Sequence, residues 1–98
     1  MTPPPVLVIV RTRDPHRQAE ALRAALGLTL RGSQVEVAID VAIEVGIDAP
    51  GEVDAALATP LARRAADTLR SFGHPVGALA GDALAAALAR AGRVEVWT

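Results

Sequence analysis

The stretch VLVIVRTRDPHR, residues 6–17, carries the reading of the fold. VLVIV is an unbroken apolar run rich in β-branched residues, the pattern of a strand buried on both faces in a parallel sheet. Asp14 and Pro15 then read as N-cap and N1 of a helix. The carboxylate can accept from the free N–H groups of the first turn, and proline has no N–H to leave unpaired there. A buried strand feeding a helix in this way is the first half of a β-α-β unit. Arg11 and Arg13 lie just before the helix, and His16 and Arg17 lie in its first turn. Cations at this end oppose the helix dipole by ~0.3–1 kcal/mol each, which calls for something negative. Three partners fit: a small anion such as phosphate or a sulfur oxyanion, the acidic segment farther along this chain or another copy, or water around solvated arginines.

The helix is expected to run to about Arg31, with Ala19, Leu22, Leu26 and Leu30 on one face and Gly32 closing it. Gly27 interrupts it at a cost of up to ~1 kcal/mol relative to alanine, and close packing on the sheet is the expected reason. QVEVAIDVAIEVGID follows, residues 34–48. Every odd position from Val35 to Ile47 is Val or Ile, and the even positions are Glu36, Ala38, Asp40, Ala42, Glu44 and Gly46. As one strand it would span roughly 43 Å at ~3.3 Å per residue, too long for a domain of this size. Either the chain bends near Asp40 to Ala42, or the segment pairs outside its own body. Alternation implies one exposed face, so the expectation is a sheet edge. Val41, Ile43, Val45 and Ile47 become candidate interface residues, because an exposed β-branched edge invites a partner.

Residues 49–58 read as a turn and a weak helical stretch. Thr59-Pro60 repeats the cap-then-proline start, and the helix it opens has Leu61, Ala65, Leu69 and Phe72 as a stripe and Gly73 as its end. PVGAL is a short strand, Gly81-Asp82 opens a helix with Leu84, Leu88 and Ala91 inward, and RVEVW is the last strand. Strands alternating with helices imply right-handed crossovers and a parallel sheet. The expectation is a single α/β domain over residues 1–98, a small flavodoxin-like three-layer fold with a mostly parallel four-stranded sheet in the order 2-1-3-4.

Composition narrows the chemistry. The 98 residues carry a net charge of −1, so there is no general attraction to nucleic acid. Charge is uneven: residues 36–58 hold six acids and no base, while the flanking segments hold five arginines each. The absence of cysteine rules out disulfides, thiolate metal sites and any persulfide or thioester carried on this chain. His16 and His74 do not form a metal-binding spacing with the aspartates. No apolar run reaches the ~18–20 residues that span a bilayer, and the N-terminus lacks a signal-peptide pattern. The expectation is a cytoplasmic protein with no membrane partner, cofactor or metal.

AEALRAALGLTLRGSQVEVAI, LARRAADTLRSFGHPVGAL and LAAALARAGRVEVWT, taken in order, resemble the DsrE-like family of sulfur-relay proteins. The resemblance covers most of the chain and rests on apolar patterning and spacing. It implies the α/β fold and a habit of homo- or hetero-oligomerisation. Two departures stand out. Active members carry a cysteine after the strand that here is PVGAL, where this chain has Ala80, Gly81 and Asp82. They also have a further strand before the final helix. No catalytic residue therefore carries over, and the resemblance implies a silent subunit that joins copies of itself or a cysteine-bearing paralogue. The alternative is a small anion- or nucleotide-binding module at Arg11, Arg13, His16 and Arg17. A third reading makes His16 a general acid in an enzyme. His74 reads as a capping or surface residue, Asp82 as an N-cap, and Trp97 as a packing residue.

Overall fold

The computed structural model describes residues 3–40, 57–78 and 81–98. In chain order they form β1 (Val6–Val10), α1 (Pro15–Leu30), β2 (Val35–Ile39), α2 (Pro60–Ser71), β3 (Val76–Ala78), α3 (Gly81–Arg90) and β4 (Arg93–Trp97). All strand pairings are parallel, and the sheet order is β3-β2-β1-β4. The α/β class and the four-stranded parallel sheet are as the sequence implies.

The strand order differs from the expected 2-1-3-4, and the reason lies in the helices. A right-handed crossover ties the direction of travel across the sheet to the face on which the helix lies. α2 packs directly beside α1, on the same face, so β3 continues outward past β2. The return to β1's other side then takes α3 over the opposite face. β2 is consequently an inner strand between β1 and β3, not an edge.

Each face has its own core. Val8 and Val10 of β1 meet Leu22 and Ala25 of α1 and Ala66 and Leu69 of α2, together with Val37, Ile39 and Leu57. On the other face, among the described residues, Leu7, Ile9 and Ala38 meet Ala87 as a buried partner, with Leu84 and Ala91 half-buried beside it. VLVIV is thus buried on both sides, as its unbroken apolar run requires, but the described residues cover the α3 face more thinly. This explains the alternation in β2. Glu36 lies in register with Leu7, on the thin face, where its carboxylate reaches Arg90 of α3 at 2.9 and 3.2 Å.

Local capping follows the sequence closely. Asp14 accepts from the His16 N–H at 2.8 Å, and Thr59 accepts from the Ala62 N–H at 3.2 Å. Gly32 and Gly73 close α1 and α2 at φ +85° and +83°, the left-handed conformation that suits glycine. Asp82 sits inside the first turn of α3 rather than before it, where its charge complements the dipole.

The helix faces are rotated from the expected ones. α1 buries Gln18, Ala21, Leu22 and Ala25, and leaves Leu30 88% exposed. α2 buries Ala62, Ala65, Ala66 and Leu69, and leaves Leu61 and Phe72 exposed. α3 buries Ala87, and Leu88 is exposed. Alanine lets the α1 and α2 backbones approach each other, so the small residues take the contact and larger ones are displaced outward.

Gly27 does not serve close packing: a Cβ built there meets nothing within 4 Å. Gly27→Ala is therefore expected to stabilise the protein by about 0.5–1 kcal/mol, by lowering the backbone entropy of the unfolded chain. A rise in the urea midpoint with an unchanged slope measures it; a fall would show hidden crowding. Among the described glycines the one with a close neighbour is Gly92, where an added Cβ would lie 2.5 Å from Cγ of Pro4.

Candidate functional site

The order β3-β2-β1-β4 puts the switch point between β1 and β4. The chain leaves β1 toward β2 and β3, and returns to the other side of β1 as β4. In open parallel sheets ligands bind beyond the carboxyl ends of the strands at such a point. Ile39, Val10 and Trp97 form one row across the sheet, and the residues after them, Asp40, Arg11 and Thr98, form the rim. The backbone ties this rim together. The Asp40 N–H donates to the Val10 carbonyl at 2.8 Å, and the Arg11 and Thr12 N–H groups both donate to the Trp97 carbonyl, at 2.8 and 3.1 Å.

Arg17 is accounted for within the chain. Its Nε donates to the Thr98 carbonyl oxygen at 2.6 Å, and its guanidinium lies 5.6 Å from the centre of the Trp97 ring, within range of a cation–π contact. Trp97 packs against the larger core, the packing role expected for it, and also carries Arg17. The Asp14 carboxylate supplies negative charge at the α1 N-terminus. Arg11, Arg13 and His16 are exposed, and among the described residues none of them has an ion-pair partner. The structure thus collects all four basic candidates at one rim and separates Arg17, which is engaged, from the other three.

Among the described residues the acids of residues 36–58 form no ion pair with the rim. Glu36 pairs instead with Arg90, and this raises the already high Arg90 pKa, by the hydrogen bond first and by charge second, with burial acting slightly the other way. Glu44 and the candidate interface residues Val41, Ile43, Val45 and Ile47 lie outside the described residues. His74 is buried rather than a surface residue, and its Nδ1 accepts from the Val35 N–H at 3.4 Å. That contact links the end of α2 to the start of β2 and gives the imidazole a structural role.

Sequence reasoning missed Gln18. It is 2% exposed, donates from Nε2 to the Thr12 carbonyl at 3.2 Å, and accepts at Oε1 from the Ala58 N–H at 3.0 Å. One side chain thereby joins the rim loop after β1 to the segment entering α2. The signal was present: Gln18 sits at the i−3 and i−4 positions of Ala21 and Leu22, a polar residue on the apolar stripe.

A shallow groove of about 150 Å³ runs between α3 and the β2–β3 half of the sheet, with Leu7, Ala38, Gly77, Leu84 and Arg90 among its walls. It is about half the size of the smallest usual small-molecule sites, ~300 Å³. No group of three or more potential metal ligands occurs among the described residues, and no helix there is long and apolar enough to cross a membrane.

Fold and rim together define a small doubly wound α/β domain with a basic switch point. No family model, curated protein or solved structure matches this chain.

Proposed function

We propose that this chain is a non-catalytic subunit of an oligomer, a DsrE-like sulfur-relay protein without the sulfur-carrying cysteine. The observation that carries the subunit reading is the uncovered apolar row on β4, where Val94 and Val96 are 42% and 53% exposed. A row of valines on an edge strand favours a partner surface over water. The DsrE-like part is supported by the order and spacing of the apolar segments. The lack of cysteine makes this the silent member of any such assembly.

The test is sedimentation of the purified chain over a range of concentrations, together with tagged recovery from its native host and mass-spectrometric identification. A stable self-complex, or stoichiometric recovery of a cysteine-bearing paralogue of similar fold, is the expected result. A monomer at every concentration, recovered alone, overturns the reading.

A second reading is supported by the switch point itself: Arg11, Arg13 and His16 stand exposed, and without ion-pair partners among the described residues, at the place where this class of sheet binds ligands. On this reading inorganic phosphate at ten times its Kd stabilises the wild type by about 1.4 kcal/mol, and Arg11→Ala with Arg13→Ala abolishes that gain without altering assembly. Thermal melts with and without phosphate measure it. Trp97, the single tryptophan, reports the same event by fluorescence.

A further inference from the structure

We propose that the outer edge of β4 pairs antiparallel with β4 of a second copy, about a two-fold axis through Val94, to give one continuous sheet of eight strands. This rests on the subunit reading above and names its partner and surface.

The backbone sets the phase. The Trp97 carbonyl bonds toward β1, so Arg93, Glu95 and Trp97 aim their peptide groups inward at β1. Val94 and Val96, the alternate residues, aim theirs at the outer edge, where no described strand pairs with β4. In an antiparallel partner centred on Val94 the two Val94 residues exchange a reciprocal pair of N–H···O bonds, and the Val96 N–H faces the partner copy's carbonyl at position 92, whose own N–H is already given to Pro5.

The side chains are self-complementary in this register. A two-fold axis perpendicular to the sheet keeps each face on its own side. On one face Arg93 comes opposite the partner copy's Glu95, twice over by symmetry. In the isolated chain these two residues make only a loose 3.7 Å contact with each other, and the Arg93 side chain is 64% exposed. On the other face Val94 meets its own copy, and Val96 comes opposite the glycine at position 92, whose side-chain position is taken by Pro4, so Val96 meets an apolar proline ring there. Val94 and Val96 lie in register with Leu7 and Ile9, so the joined valines extend the thin core rather than form a new one. The neighbouring register, centred on Glu95, sets that carboxylate against itself, and like charges directly opposite are destabilising. The two edges of the sheet also differ. β3 has three residues, while β4 has five without proline or lysine, the kind of edge that protected folds avoid.

The experiment uses charge reversal in trans together with single cysteines. Arg93→Glu and Glu95→Arg are each expected to weaken self-association at least tenfold, because each sets like charges across the seam. An equimolar mixture of the two restores a heterodimer, although each chain then carries like charges within itself. An intrachain role for the pair cannot produce that recovery. The chain has no native cysteine, so Val94→Cys places a lone thiol on the axis. Its Cα lies ~5.5 Å from its mate, inside the ~4.4–6.8 Å range of a disulfide, and mild oxidation gives a covalent dimer. Val96→Cys, ~13 Å from its mate at ~3.4 Å per residue, does not. Circular dichroism confirms that each variant folds, and the cysteine arm stands without the charge variants. Self-association that survives both reversals, with no Val94→Cys cross-link, overturns the β4 seam and leaves the subunit reading intact with another surface. A wild type that stays monomeric to millimolar concentration overturns the seam as well and leaves only a different chain as partner.

Discussion

Leu22→Ala is expected to destabilise the protein by about 3 kcal/mol, within the ~2.7–5 kcal/mol seen for buried leucines. Leu22 is fully buried where α1, α2 and β1 meet. Truncation removes its contacts with the sheet and opens a cavity that the alanines around it are too small to fill. A domain of this size has only about 5–15 kcal/mol in total. At ~4–8 °C per kcal/mol for a small domain, the melting temperature falls by roughly 12–24 °C. Leu30→Ala is the control. Leu30 is on the face that heptad-like spacing would assign to the core, yet it is 88% exposed, and its loss is expected to stay within about 0.5 kcal/mol. Chemical denaturation of both variants measures the difference. Equal costs would mean that α1 is rotated from the orientation described.

Gln18→Ala is expected to cost about 2–3 kcal/mol. The side chain loses one buried methylene, at ~0.8 kcal/mol, and at least the two hydrogen bonds to Thr12 and Ala58, at ~0.5–1.5 kcal/mol each, offset in part by water reaching the rim loop. Gln18→Glu separates the donor from the acceptor. An ionised carboxylate still accepts from Ala58, but it faces the Thr12 carbonyl with an oxygen where a donor is needed. Burial raises the folded-state pKa of such a group above its unfolded value of ~4.3. The folded state then binds the proton more tightly, so stability is lost as pH rises through the raised pKa and regained below ~4.3. The Gln18→Glu deficit relative to wild type should therefore shrink on acidification, when a protonated oxygen can donate to Thr12. Urea titrations across pH 4–7 test this; a deficit independent of pH would show that the Thr12 bond contributes little.

These two residues mark where legibility ended. That α1 is a helix, where it starts and where it stops were all readable in Asp14-Pro15 and Gly32. Which of its residues face inward was not. Ala19, Leu22, Leu26 and Leu30 form a credible stripe, and the true one, Gln18, Ala21, Leu22 and Ala25, is shifted because a neighbouring alanine-rich helix selects for small side chains. The rim was partly legible. Its four basic residues were identifiable from position alone, since they follow a buried strand and open a helix. That Arg17 is held by Thr98 and Trp97 depends on a contact between residues 81 positions apart, which no local pattern encodes.

By itself the sequence determined what local chemistry controls: three helices with the caps of α1 and α2, four strands, the class of fold, and the exclusion of thiol chemistry. Caps and turns are decided by groups two to four residues apart, and their energies do not wait for the rest of the chain. Strand order, helix rotation and ion pairing belong to the tertiary structure. Right-handed crossovers allow β3 to land beyond β2 or beyond β1, and nothing in β3 itself distinguishes the two. The packing of Ala62, Ala65 and Ala66 in the core shared with α1 chooses one face, and with it the inner place of β2, the Glu36–Arg90 pair and the open edge of β4.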